Sequence, residues 1–327
     1  MKVTVCVHGR WHAFELANGL FRKDLLCRLL TTYPAFAARK FLESGINLQT
    51  SPWLEARRRC FDRFSIGGKP DAAIAQAFGR FAARKAIGGA DILVGWSSAT
   101  LEAMVPAREA GMKGVIERGS SHISHQTEVL RMAHAEFNMA FSQTEPQIIE
   151  RELEEYAAAD RIAVPSHFAA KTFTSRGIEP GKLIVNPYGV DLSRFSPGPQ
   201  NNHSLPRILF VGSVGIRKGV PSLLRAFKGL EKIAELHLIG PVERGFGKVL
   251  ASYTSRNIYV WGALPARVLP DEFRRSDIFC LPSLEEGFPL SMLQAMASGL
   301  AVVVTPETGA ADIFDNGRQG VIIDSQN

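Results

Sequence analysis

Two adjacent glutamates, Glu285 and Glu286, stand in a short loop between an apolar strand and a helix. Pro289 and Gly299 predict where this helix begins and ends, because proline is tolerated in a first helical turn and glycine favours the position just past a helix. The strands predicted on either side, residues 278–281 and 301–304, complete one parallel unit of an α/β sheet. Ligands of such units lie at the carboxyl ends of the strands, which is where this loop stands.

The same loop offers two kinds of ligand contact. A helix N-terminus presents unpaired N–H groups that attract phosphate, and a carboxylate accepts protons from hydroxyl groups. Because a carboxylate repels phosphate, we predict that Glu286 binds an uncharged polyol and that the backbone near Leu290 and Ser291 binds a diphosphate. An ordinary solvated acidic loop would explain the same residues.

A second group of polar residues follows the predicted strand 207–211, in the segment G-S-V-G-I-R-K-G. Its glycine spacing fits neither a dinucleotide-binding loop nor a P-loop. Arg217 and Lys218 nevertheless stand at a helix N-terminus, where cations oppose the helix dipole and an anion would relieve the repulsion. A diphosphate is the natural candidate, and an exposed Arg-Lys pair in a turn is the alternative.

Other strand ends carry weaker signals. Gly9 follows the first strand and would let backbone approach a ligand closely, on the acceptor or phosphate side. Gly240 and Gly262 end two later strands and could present backbone groups to a nucleobase. His122 and His125 follow the strand 114–117; they could cap a helix, and no nearby carboxylate or cysteine completes a metal site with them.

Length and alternation predict two domains of one class. The 327 residues, 46% of them hydrophobic, exceed what one core usually serves. Strands and helices alternate before and after the Pro-, Gly- and Asn-rich segment 186–203, which has the composition of a linker. We therefore expect two doubly wound α/β domains, residues 1–190 and 191–327.

The segment from Glu286 to Gln294 resembles the signature of the retaining GT-B glycosyltransferases of family 4, or glycosyl transferases group 1, in which two glutamates bracket seven residues. Here the first is Glu286, and Gln294 replaces the second. The segment N-P-Y-G-V-D is similar to the one that this family places between its domains. Lys218 matches a family lysine, whereas Ser213 stands where the family has an arginine, and Arg217 would supply the missing guanidinium.

This resemblance implies a GT-B fold, with two Rossmann-like domains facing each other across a cleft and a further helix after residue 323. It implies a retaining transfer of sugar from a nucleoside-diphosphate sugar to an acceptor hydroxyl, in cell-envelope, exopolysaccharide or glycolipid biosynthesis. Glu286 and His122 would face the sugar, and Lys218 the leaving diphosphate. The remaining donor contacts would come from the residues of the two loops and from the strand-end glycines: Arg217, Gly287, Phe288, Leu290, Ser291, Gln294, Gly9, Gly240 and Gly262.

No D-x-D triplet occurs, so neither a metal nor another cofactor is expected. The departures at Gln294 and Ser213 leave two alternatives open. One is an inactive protein that binds nucleotide sugar or polysaccharide, and the other is a different GT-B enzyme such as a sugar-nucleotide epimerase.

Charge is unevenly distributed along the chain. Residues 1–90 hold 15 Lys and Arg against 6 Asp and Glu, a balance of +9, within a total of +6. The cluster Arg57–Arg59 with Arg63, and a basic amphipathic helix within 70–87, suit an anionic membrane surface, as a lipid-linked acceptor would require. A solvated basic face is the alternative. No nucleic-acid motif accompanies the charge. With neither a signal-peptide core nor a membrane span, we expect a cytoplasmic protein, at the inner face of the membrane if its acceptor is lipid-linked.

Overall fold

The computed structural model describes residues 1–64, 70–141, 144–199, 204–253 and 255–325. The chain forms two compact units. The first comprises Met1–Arg118, Thr144–Ala163 and Glu179–Ile184, and the second comprises Gly119–Gln143, Val164–Ile178 and Val185–Asn327. The domain limits at residues 190 and 191 therefore stay a prediction, although the two main sheets divide between residues 185 and 207.

Each unit carries one sheet. The strands of the first sheet are β1 (Val3–Val7), β2 (Leu26–Thr31), β3 (Leu48–Thr50), β4 (Ile92–Trp96), β5 (Lys113–Glu117), β6 (Arg161–Val164) and β7 (Leu183–Val185). The strands of the second are β8 (Arg207–Val211), β9 (Glu235–Ile239), β10 (Ile258–Gly262), β11 (Ile278–Leu281), β12 (Ala301–Val304) and β13 (Gly320–Ile322).

Helices fill most of the connections. They are α1 (Ala13–Arg22), α2 (Ala35–Ala38), α3 (Pro52–Phe64), α4 (Asp71–Lys85), α5 (Leu101–Glu109), α6 (Ile123–Glu136), α7 (Pro146–Ala158), α8 (His167–Thr174), α9 (Val220–Phe227), α10 (Gly247–Ala251), α11 (Leu269–Arg274) and α12 (Leu290–Ala297). In the second unit, apolar residues of α9, such as Leu223, Leu224 and Phe227, join one core with Leu209 of β8 and Phe279 of β11.

Both sheets follow the same strand order. The first runs β3-β2-β1-β4-β5-β6-β7 and the second β10-β9-β8-β11-β12-β13. All five strand pairs of the second sheet are parallel. Parallel sheets are covered on both faces, which explains why β1 is buried at every residue. This order is the doubly wound one, so the predicted α/β class is confirmed.

The predicted elements differ from the structure in a few places. The sequence also predicts a last helix over residues 309–315, and this prediction is wrong. Two short 3-10 helices, Pro306–Thr308 and Ala310–Asp312, flank Gly309, whose left-handed φ of 70° ends the first of them. The strands β2 and β3 carried no prediction. The end of the predicted linker, residues 200–203, lies outside the described residues.

Candidate functional site

Two loops of the second unit meet where its strand order reverses, between β8 and β11. Gly219 caps α9 with a left-handed φ of 67°, and a Cβ there would lie 1.7 Å from the carbonyl oxygen of Pro282. The backbone N–H of Leu284 donates to the carbonyl of Arg217 at 2.9 Å. Backbone contact therefore brings the Arg-Lys pair of one loop alongside the two glutamates of the other, at the place where doubly wound sheets bind ligands.

Glu285, Glu286, Arg217 and Lys218 form a cluster with their hydrogen-bond partners. Glu285 is fully buried, and its carboxylate accepts more hydrogen bonds than that of Glu286. Its Oε1 accepts from the hydroxyls of Ser120 and Ser121, each at 2.6 Å, and from the backbone N–H of Ser121 at 3.2 Å. Its Oε2 accepts from Nε2 of Gln126 and from Nε of Arg217, both at 2.9 Å. Neutral donors and one cation thus fix this carboxylate in a single position.

Glu286 has different partners. Its Oε2 pairs with Nζ of Lys218, and its Oε1 accepts from Nη2 of Arg217 at 3.2 Å. Among the described residues, both of its carboxylate oxygens are therefore bound by cations. The structure brings together three residues that the sequence predicts for the site, Glu286, Arg217 and Lys218.

The electrostatics of the cluster follow from burial and pairing. Burial alone would raise the pKa of the Glu285 carboxyl, but Arg217 and the donors Ser120, Ser121 and Gln126 outweigh it and lower that pKa to about 2. Burial lowers the pKa of the Lys218 ammonium, and Glu286 offsets part of this effect. Two cations and two carboxylates leave the cluster without net charge when all four are ionised.

The N-terminus of α12 adjoins this cluster through Gly287. A Cβ on Gly287 would lie 2.2 Å from the carbonyl oxygen of Gly119, and its own carbonyl accepts from Ser166 Oγ at 2.7 Å. Leu290 is exposed and Ser291 half-buried, so the first turn of α12 is accessible to a ligand. Phe288 instead packs into the core, 3% exposed.

The other predicted contacts are more scattered. Gln294 lies half-buried on α12. Gly240 is buried, its N–H donates to the carbonyl of Gly262 at 2.8 Å, and a Cβ there would strike the carbonyl of Gly212. Gly262 has a left-handed φ of 68° and open space around it. Of these strand-end glycines, Gly262 is thus the one with room beside it for a ligand.

His122 serves as the N-cap of α6. Its Nδ1 accepts from the backbone N–H of Ser124 at 3.2 Å, and its ring packs edge-on against Phe173 with centroids 4.9 Å apart. The side chain is 3% exposed. The helix-capping alternative therefore describes its contacts, and a role beside the donor sugar stays a prediction.

Three residues of the cluster carried no prediction from the sequence: Ser120, Ser121 and Gln126. They lie about 160 positions before Glu285, in the turn before α6 and its first helical turns. The signal in the sequence for these serines is the polar run G-S-S-H at a strand end.

Gly9 belongs to the first unit, where it follows β1 with a φ of 106°. Its carbonyl accepts from the hydroxyl of Thr31. At the end of β5 in the same unit, Glu117 is buried, and its Oε1 lies 3.3 Å from Nε2 of His12. Polar groups thus also gather at the carboxyl edge of the first sheet.

The second unit contains a pocket of about 730 Å³ beside the acidic loop. Its walls include Leu284, next to Glu285, together with His125, Phe168, Arg225 and Glu307. The volume lies within the range of small-molecule sites, and apolar walls with a few charged groups are typical of them.

Metal ligands do not cluster in the part of the chain that the structure describes: no group of three or more His, Cys, Asp or Glu residues could hold an ion there. The four cysteines are free, Cys6 and Cys280 buried and Cys60 exposed. Within the same residues, no helix has the length and apolar character needed to cross a membrane.

The architecture has counterparts among known proteins. The structure of HepE from Anabaena, solved with UDP and glucose, superposes with a TM-score of 0.64 at 14% identity, and the match covers 100% of this chain and 87% of HepE. Together with the doubly wound order of both sheets, this likeness defines a fold of the GT-B glycosyltransferase type, as the sequence predicts.

Residues 205–327, which hold the Arg-Lys pair and the acidic loop, match the family model of glycosyl transferases group 1. The putative colanic acid biosynthesis glycosyltransferase WcaL of Escherichia coli is 27% identical over 155 residues, covering 43% of this chain and 38% of the relative. The MMP alpha-(1->4)-mannosyltransferase of Mycolicibacterium hassiacum is 32% identical over 154 residues, covering 44% and 36%. The matches thus span less than half the length of these relatives.

Proposed function

We propose that the protein is a retaining glycosyltransferase that moves a sugar from a nucleoside-diphosphate sugar to an acceptor hydroxyl in cell-envelope or polysaccharide biosynthesis. The observation that carries the proposal is the cluster of Arg217 and Lys218 with Glu286 at the switch point of the second sheet. The family match of residues 205–327 and the UDP bound by HepE support the donor class.

The groups of the cluster suit the two ends of the bond that breaks. Lys218 and Arg217 would stabilise the charge that develops on the leaving diphosphate, with the N-terminus of α12 beside them. The carboxylate of Glu286 would hold the sugar hydroxyls and favour positive charge at the anomeric carbon. No metal or other cofactor is required by this scheme. The alternatives, an inactive binding protein and an epimerase, share the donor site but not the transfer.

Binding is tested by thermal shift with UDP, GDP, ADP and their sugars. A ligand at about 100 times its Kd should stabilise the folded state by roughly 2.7 kcal/mol. Lys218→Ala should reduce this shift, because it removes a cation from the diphosphate. Lys248→Ala is the matched control, since Lys248 is exposed on α10. A flat response of folded wild-type protein to every nucleotide would refute the donor site.

Transfer is tested by turnover with a donor that passes the binding screen. Glu286→Gln should lower sugar transfer or donor hydrolysis at least about a hundredfold, because the amide keeps the shape of the side chain and loses its charge. Near-normal turnover of this variant would remove Glu286 from the chemistry. Binding without any turnover by wild-type protein would favour the inactive binding protein.

We also propose that α3 of the first unit docks on an anionic membrane that carries the acceptor. Only Leu54 and Glu55 are buried along this helix. Trp53 and Phe64 are 58% and 60% exposed, and the positions between them on the same helical stripe include Arg57. Exposed aromatic rings and arginines on one stripe are typical of helices that lie in a membrane interface.

Membrane docking is tested by sedimentation with phosphatidylglycerol vesicles, and phosphatidylcholine vesicles as the neutral control. Binding should fall with salt, because exposed charges are screened within about 8 Å at physiological ionic strength. The double variant Trp53→Ala with Phe64→Ala should bind less, whereas Trp261→Ala, which removes an exposed aromatic ring of the second unit, should not. Equal sedimentation of all three proteins would refute the role of α3.

A further inference from the structure

Glu286 forms ion pairs with the two cations that bind the diphosphate in the proposed function. Its Oε2 pairs with Nζ of Lys218 and its Oε1 with Nη2 of Arg217. A carboxylate with one oxygen on each cation presents the same pair of acceptors as a phosphate group would. The contacts of Glu286 therefore overlap with those of the ligand.

The net charge of the site determines what must happen when a diphosphate binds. Arg217 and Lys218 are matched by Glu285 and Glu286, so the four groups carry no net charge. A diphosphate adds at least two negative charges to a cluster in which both carboxylates are buried. Like charges in such surroundings repel strongly, so one carboxylate has to leave the cations when the diphosphate arrives.

The structure also indicates which carboxylate leaves. Glu285 is held by Ser120, Ser121 and Gln126 as well as by Arg217, so its departure would break hydrogen bonds from three neutral residues. Glu286 is held only by the two cations among the described residues. Moving Glu286 therefore breaks no hydrogen bond that the diphosphate does not replace.

We propose that the donor diphosphate and the carboxylate of Glu286 compete for Lys218 and Arg217, so that donor binding transfers Glu286 from the cations to the hydroxyl groups of the sugar. This inference rests on the proposed function. It makes Glu286 an internal competitor of the free nucleoside diphosphate, which lacks the transferable sugar whose hydroxyl groups would bind the displaced carboxylate. The intact donor offers them, and so compensates for the lost ion pairs.

The test is calorimetric titration of UDP, GDP and ADP, and of UDP-glucose, GDP-mannose and ADP-glucose, into wild type and Glu286→Gln. The titrations run at pH 6.5, because burial lowers the pKa of Lys218 and the ammonium must stay charged. For the base that binds, Glu286→Gln should lower the Kd of the diphosphate at least about tenfold and that of the sugar nucleotide by less. Asp315→Asn, which removes an exposed negative charge of the same unit, should change neither Kd.

The change in the two Kd values between wild type and Glu286→Gln distinguishes the possibilities. A tighter diphosphate together with a smaller gain for the sugar nucleotide supports the exchange, and Glu286→Ala should reproduce the direction. An unchanged or higher Kd of the diphosphate in folded Glu286→Gln overturns the exchange and leaves the proposed function standing. Absence of binding by both wild type and variant overturns the exchange and the proposed function together.

Discussion

Replacing Glu285 by alanine should destabilise the second unit by roughly 3–5 kcal/mol, the usual cost of removing one partner of a buried ion pair. The side chain is fully buried, and its two oxygens accept five hydrogen bonds from the side chains of Ser120, Ser121, Gln126 and Arg217 and from one backbone N–H. Alanine would leave these donors without their acceptor. The loss of several bonds from buried groups places the expected effect at the upper part of that range.

This destabilisation can be measured by thermal and urea unfolding followed by circular dichroism. For a unit of this size, 1 kcal/mol corresponds to a shift in Tm of about 2–4 °C, so the Tm should fall by roughly 10 °C. Asp315→Ala is the control, since it removes an exposed carboxylate of the same unit. If Glu285→Ala lowers the stability by less than about 1 kcal/mol, or by no more than the control, then the hydrogen bonds of Glu285 do not hold the loop as argued.

The remaining predictions concern pH, backbone and capping. The pKa of Glu285 is about 2 in the folded chain, below its unfolded value. The stability that this carboxylate contributes is therefore present above about pH 4.3 and is lost as the pH falls towards 2, by on the order of 3 kcal/mol. Acid titration of Glu285→Gln should show a smaller loss of stability. Gly219→Ala should lower the Tm and abolish the thermal shift caused by nucleoside diphosphate, because the added Cβ would clash with the Pro282 carbonyl. Gly229→Ala is the control and should do neither, because its Cβ would make an ordinary contact. Ser166→Ala should cost about 1 kcal/mol or more in urea unfolding, because the hydroxyl both caps α8 and donates to Gly287; a change within error would contradict the capping role.

Several elements could be predicted closely because their boundaries have local causes. The strands β8, β11 and β12 have the predicted limits, since each is a short apolar run that ends at a glycine, a proline or a polar turn. Pro289 and Gly299 likewise mark the two ends of α12. The two loops could therefore be predicted from the sequence, and so could three of their site residues, Arg217, Lys218 and Glu286.

The partners of the site were harder to predict because they are distant in sequence. Nothing near Glu285 indicates that its carboxylate is bound by serines far earlier in the chain. We predicted from the sequence that Glu286 binds a polyol, because a carboxylate repels phosphate, and its pairing with Arg217 and Lys218 carried no prediction. Electrostatic pairing of this kind depends on the tertiary approach of two loops, which periodicity and turn signals do not report.

The hydrogen bonds of Glu285 also bear on how such proteins can be recombined. The family match begins at residue 205, but the serines and the glutamine that hold this carboxylate lie between residues 120 and 126. A chimera that takes only the matched segment from one relative would graft the acidic loop onto a foreign turn and leave a buried charge unsolvated. Moving the acidic loop into another protein therefore requires residues 120–126 to be moved with it, because the site is built from two separate stretches of the chain.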